Sequence, residues 1–125
     1  MKLLLDTHIV IWAVVGDSRL TEKQREAIVT PSNELLVSAV AAYEYAHLQR
    51  DGRIPLDEDI GFLSEHLGFK VVEVPAAVWR KVHELPLLHR DPIDRIQVLH
   101  ALVADCVLVT ADRSIVAYPV DTLWR

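Results

Sequence analysis

The sequence predicts an α/β domain, a mostly parallel β-sheet covered by α-helices on both faces. Short apolar runs alternate with amphipathic stretches along the chain, and strand–helix alternation of this kind builds such sheets. The 125 residues, 51% of them hydrophobic, suffice for a real core. Chains of this size bury roughly two-thirds of the surface their unfolded form exposes. No internal repeat, low-complexity tract or linker divides the chain, so residues 1–125 read as a single domain.

Lys2–Leu5 is the first strand, an apolar run stopped by Asp6. Val10 to Val15 continues as an apolar helix ended near Gly16. Thr21–Val29 reads as a helix capped by Thr21, with Glu22 in its first turn. Leu35–Val37 is the second strand, and Ser38 caps a helix that runs to about Arg50 and stops at Asp51-Gly52. Leu56–Leu67 is helical and closes at Gly68. Val71 and Val72, extending toward Val74, form the third strand; Ala76–Leu85 is a helix ended by Pro86. Asp91–Asp105 carries the strongest helix signals, and Val107–Val109 is the fourth strand. A short helical turn after Asp112 and a last strand near Thr122–Leu123 complete the set. Right-handed crossovers then put every strand's C-terminal end on one edge of the sheet, where open α/β sheets bind ligands.

Bulk properties narrow the classes. A single cysteine excludes an intrachain disulfide, and Cys106 reads as a small core residue of a reducing compartment. Asp6 interrupts the opening apolar run far short of a signal peptide or membrane helix. The sequence therefore predicts a cytoplasmic protein with no membrane partner. A net charge of −5 and a pI near 5.6 run against a general polyanion binder. The six His residues show no zinc spacing. His83-Glu84 fails as the start of a metalloprotease helix, because Pro86 and Leu87 occupy the wrong positions. Trp12, Trp79 and Trp124 lie in apolar surroundings and read as packing residues, not as base-stacking platforms.

Four acids carry the chemistry. Asp6 ends the first strand, and Asp112 lies just beyond the fourth, after Thr110 and Ala111. Asp94 is in the first turn of the helix that feeds that fourth strand. Glu44 lies about two turns into the helix after the second strand. It shares a largely apolar face with Val40, Ala41, His47 and Leu48, where a carboxylate is costly unless paired or metal-bound. Hard divalent cations take oxygen ligands of this type and can neutralise a phosphodiester transition state. Local positive charge from a metal would also answer the acidic pI. Helix-start physics reads part of the same pattern differently: Asp91-Pro92-Ile93-Asp94 is an N-cap, a Pro at the first position and an acid in the first turn. In that reading the Asp91 carboxylate accepts from the amide of Asp94. Arg90, Arg95 and Arg113 flank the acids as candidate phosphate contacts, and a solvated surface role fits each equally.

Met1-Lys-Leu-Leu-Leu-Asp-Thr-His8 resembles the opening of PIN-domain ribonucleases of the VapC toxin type. Val37-Ser-Ala39 followed by Glu44, His89-Arg-Asp-Pro-Ile-Asp-Arg95 and Leu108-Val-Thr-Ala-Asp112 extend the resemblance, in the family's order, to about residue 118. The resemblance implies a PIN-like three-layer sandwich, a Mg²⁺ or Mn²⁺ site and RNA phosphodiester hydrolysis. It also implies a homodimer and neutralisation by a cognate antitoxin. The family's acidic quartet carries over onto Asp6, Glu44, Asp94 and Asp112, its hydroxyl residue onto Thr110, and a further acid onto Asp91. Tyr43, Ile93 and His100 depart from the Trp, Phe and Gln of close relatives, and Gln49 and Arg50 lie near where those often carry a Lys. None of these departures removes a metal ligand.

Two other functions compete. A phosphatase with Asp6 as nucleophile needs a second Asp two residues on, and His8 stands there. A degenerate domain that only binds RNA or a partner has no reason to crowd four acids.

Overall fold

A computed structural model of the chain describes residues 1–86 and 91–124. Five strands, β1 (Lys2–Leu5), β2 (Glu34–Ser38), β3 (Phe69–Val72), β4 (Val107–Val109) and β5 (Thr122–Leu123), form one sheet in the order β3-β2-β1-β4-β5. Every pairing is parallel; Leu3 aligns with Leu35 on one side and Val107 on the other. The helices are α1 (Thr7–Val15), α2 (Glu22–Val29), α3 (Ala39–Arg50), α4 (Ile60–Leu67), α5 (Ala76–Lys81) and α6 (Pro92–Ala104).

The central strand shows why its sequence is apolar at successive positions. Leu3 and Leu5 enter one core with Ile9 and Val10 of α1, Tyr45 and Leu48 of α3, and Leu63 of α4. Leu4 enters a second core with Val78 of α5, Val98 and Leu99 of α6, and Ile115. Leu3–Leu5, covered on both faces, leave no room for a polar side chain, and Lys2 is exposed at the strand's start. The predicted α/β sandwich is therefore the observed one.

Most differences from the sequence reading lie at helix ends. Helix α1 begins at Thr7, three residues earlier than its apolar run, because the Asp6 carboxylate caps it. Helix α4 begins at Ile60 and not at Leu56. Asp59 is its cap, accepting from the Phe62 amide at 2.9 Å, while Ile54 and Leu56 pack on the core from the preceding loop. Helix α5 stops at Lys81 and a 3-10 turn, Val82–Glu84, follows. Trp79 corrects the packing assignment made for all three tryptophans: it is 51% exposed. Among the described residues, no helix is long and apolar enough to cross a membrane.

The strand order reverses between β1 and β4, the kind of switch point that opens a crevice at the C-terminal edge of such sheets. The Asp6 amide bridges that seam to the Val109 carbonyl at 2.9 Å. Buried Gln24 braces it from α2, donating to the carbonyls of Thr110 at 3.0 Å and Leu123 at 3.1 Å.

Candidate active site

Asp6 sits at the seam and is only 5% exposed. Its carboxylate accepts from the Thr7 amide at 2.6 Å, the Thr110 hydroxyl at 2.8 Å and the Gln97 side-chain amide at 3.4 Å. The Thr110 hydroxyl also accepts from the Asp112 amide at 3.0 Å. One threonine thus fixes the acid that ends β1 and the backbone carrying the acid after β4. Burial raises the Asp6 pKa, against the lowering influence of Thr110, His8, Thr7 and Gln97.

Glu44 reaches the same edge from α3, half-buried. Burial is the largest cause raising its pKa, and Asp6 and Asp91 raise it further; the Thr7 hydroxyl and His8 act the other way. The Thr7 hydroxyl is itself buried and stands near that carboxylate without a partner at bonding distance. On the helix face shared with Glu44, Ala41 and Leu48 are buried but His47 is exposed and pairs with Asp51 at 3.3 Å. Glu44 therefore lies at the rim of the core.

Asp94, in the first turn of α6, is pushed up to about 8. Burial is the largest cause, and Asp6, Asp91, Glu44 and Asp112 each add to it. Asp6, Glu44, Asp112 and Asp91 thus all lie within electrostatic reach of Asp94. Asp112 caps the 3-10 turn Arg113–Ala117 by accepting from Ser114.

Asp91 is the N-cap of α6, as its position before Pro92 predicts, but its donor is the Ile93 amide at 2.9 Å and not that of Asp94. Pro92 has no N–H, so the first free amide of the turn is that of Ile93. Asp91→Ala should cost about 0.5–2 kcal/mol in chemical denaturation, whereas Asp91→Asn should retain the cap and much of the activity. An Asp91→Asn protein that is folded yet as inactive as Asp94→Asn would refute this division of roles.

The arginines divide. The Arg95 guanidinium is held by the carbonyls of Pro86 and Leu85 and by the Tyr118 hydroxyl, at 2.8, 3.2 and 3.1 Å, which makes it a brace for the chain before α6. Arg113 is exposed, 6.0 Å from the Trp124 ring centroid. Arg90 lies outside the described residues, as does His89 of the same motif. Of the two histidines near the acids in sequence or by resemblance, His8 is exposed at the start of α1. His100 is buried against the Ser38 hydroxyl at 2.8 Å, and burial lowers its pKa.

Sequence reasoning assigned no site role to Gln97 or Thr7. Gln97 is fully buried, and its carbonyl oxygen has no partner. Its spacing of three from Asp94 is the signal that puts both on one helix face. Among the described residues, no three His, Cys, Asp or Glu side chains already stand close enough to hold a metal ion together. The donor set nonetheless fits a hard divalent cation: it is entirely oxygen, it carries excess negative charge, and two buried polar atoms beside it, Gln97 Oε1 and Thr7 Oγ1, lack partners.

A family model for the PIN domain matches residues 3–120, a span that includes all of these acids. The fold is similar to that in VapBC2 from Rickettsia felis bound to a DNA fragment from its promoter. That match has a TM-score of 0.72 and 16% identity over 98% of each chain. It is also similar to VapBC-1 from nontypeable Haemophilus influenzae, with a TM-score of 0.64 and 16% identity over 98% of this chain and 97% of that one. No curated protein matches the chain by sequence.

Proposed function

The chain belongs to the PIN-domain family, and from that premise we propose that it is a Mg²⁺- or Mn²⁺-dependent endoribonuclease, the VapC-type toxin of a toxin–antitoxin pair. One observation carries the reading. Asp6, Glu44 and Asp112, from three other segments, lie within electrostatic reach of Asp94 and raise its pKa, as does Asp91 at the start of the same helix. A fold does not gather acids at a half-buried edge for stability, since each disfavours ionisation of the others.

Asp6, Glu44, Asp94 and Asp112 are the residues that would hold the metal, with Asp91 and Thr110 beside them. Bound there, Mg²⁺ or Mn²⁺ would supply the positive charge that activates water and neutralises a phosphodiester in its transition state. The chain's own contribution is preorganisation. Thr110, Thr7 and Gln97 aim the Asp6 carboxylate by donating to it. Asp94 keeps its proton up to about pH 8, so protons and metal compete for it and metal binding should tighten as pH rises toward that value.

The structural neighbours are VapB–VapC assemblies, which supports a cognate antitoxin as partner. A cationic antitoxin side chain, an Arg by its bidentate fit to carboxylates, would neutralise this edge. For a homodimer, α5 and α6 offer apolar surface: Trp79 is exposed on α5, and exposed Leu102 of α6 lines a groove of about 280 Å³ with Leu85, Leu99 and Val103. The reading places the protein in the cytoplasm with its RNA substrate.

The test is RNA cleavage by the purified chain with Mg²⁺, Mn²⁺ or EDTA. Cleavage should require the divalent ion, stop in EDTA and return when the ion is restored. Undiminished cleavage in EDTA sinks the metal assignment; failure to cleave any RNA with either ion sinks the enzyme.

A further inference from the structure

A groove of about 210 Å³ runs along α1, with His8 in its lining and none of the clustered acids. His8, Ile11, Trp12 and Val15 form one wall, spaced as one face of a helix, so the wall is about 10 Å long. The opposite side is Asp17 and Arg19 from the turn after α1, with Arg53, Ile54 and Pro55 from the loop after α3. His8 joins the two regions, because it also stands within electrostatic reach of Asp6 and Glu44.

The chemistry of the groove differs from that of the edge it adjoins. The Arg19 guanidinium lies 4.7 Å from the Trp12 ring centroid, a cation–π contact. Asp17 pins that guanidinium, accepting from its Nη2 at 2.7 Å and its Nε at 3.1 Å. Trp12 packs on the core beneath and Arg19 covers its ring, so the surface left for a ligand is the exposed Arg19 guanidinium, a flat group held in place with its charge already matched. Arg53 is exposed and makes no ion pair among the described residues, and its amide is tied to the Leu48 carbonyl at 2.9 Å. A stacking platform beside an uncommitted guanidinium fits single-stranded nucleic acid, which binds by base stacking and backbone charge. A chain of net charge −5 also needs local cations to bring a polyanion to an acidic centre.

We propose that this groove receives the single-stranded RNA segment flanking the scissile phosphate, with a base stacked on the Arg19 guanidinium that Trp12 backs and a phosphate on Arg53. The assignment rests on the ribonuclease reading and deepens it, by naming where the substrate lies and why it must be unpaired. A duplex keeps its bases stacked on one another and offers none to the platform.

The test measures affinity for a short, unstructured, fluorescein-labelled RNA by anisotropy, on the full chain carrying Asp6→Asn so that the probe is not cut. Added Arg53→Gln should weaken binding about tenfold. It should also reduce the slope of log affinity against log salt by about 0.7, the signature of one lost phosphate contact. Added Arg19→Ala should weaken binding about fivefold or more, with little change in that slope. Arg80→Gln, on the opposite face of the sheet, is the control. In the cleaving chain the Arg53→Gln defect should appear in KM. A perfectly paired duplex should bind more weakly than the single strand. Single-strand affinity unchanged in both groove variants, or no binding of the probe at all, overturns the proposal. So does retained RNA binding with loss of an antitoxin peptide, which would make the groove a protein-docking surface. Cleavage by the unsubstituted chain judges the ribonuclease reading separately, so failure of one is distinguishable from failure of the other.

Discussion

Asp94→Asn is expected to lower RNA cleavage at least about 100-fold and, in the same protein, to stabilise the metal-free fold. The two effects have one origin. The Asp94 carboxyl is pushed from an ordinary 3.8 to about 8 by burial and by its acidic neighbours, so the native state binds this proton more tightly than the unfolded state does. Stability is then fully present below about pH 4 and falls as pH rises, because the unfolded chain gains by ionising; the fall ends near pH 8. Asn has no proton to lose. The gap between variant and wild type should open above about pH 4 and stop growing above about pH 8. Solvent screening of the partly exposed carboxylate keeps the plateau to about 1–3 kcal/mol. Urea denaturation at a series of pH values with EDTA present measures it. A variant no more stable than wild type at pH 8 would show that Asp94 is not under this repulsion.

Asp6→Asn should leave no cleavage above background and should also abolish the rise in Tm expected of the wild type with Mg²⁺ or Mn²⁺. That rise corresponds to about 2.7 kcal/mol at roughly 100 times Kd. The variant should nevertheless fold. Asn caps helices as well as Asp does, so the start of α1 is preserved. The Thr110 hydroxyl, which now donates to Asp6, has a second lone pair for an amide N–H beside the one taken by Asp112. The substitution also removes a buried charge whose pKa burial has raised. Circular dichroism and a metal-titrated melting curve separate loss of function from loss of fold. Wild-type cleavage by a folded, carefully purified Asp6→Asn would falsify the site.

What could be read from the sequence was local in origin. Thr21, Ser38 and Asp91 announce helix starts because a cap acts within two or three residues of itself. That Asp6, Glu44, Asp94 and Asp112 would share one edge was legible because strand ends converge in any parallel α/β sheet. The roles of Gln24 and Gln97 were not, since each depends on partners 86 to 99 residues away along the chain. Trp79 and Val78 are adjacent apolar residues, yet a helix turns about 100° between them, so Val78 is buried and Trp79 faces out. At α4, apolar residues of the preceding loop imitated a helical stripe because a packed loop and a packed helix bury the same side chains.

The position of β1 at the centre of the sheet has a consequence in time. Its partner β2 is only some thirty residues away, but Thr110, which orients Asp6, is 104 residues downstream. At about 5–20 residues per second, a ribosome needs about 5–20 s to travel from one to the other. Throughout that interval the nascent chain holds Asp6 without the seam that positions it. Closure of the seam between β1 and β4 is a long-range step that loop entropy makes slow. The acidic edge therefore matures late in the life of each new molecule, after nearly all of the chain has been made.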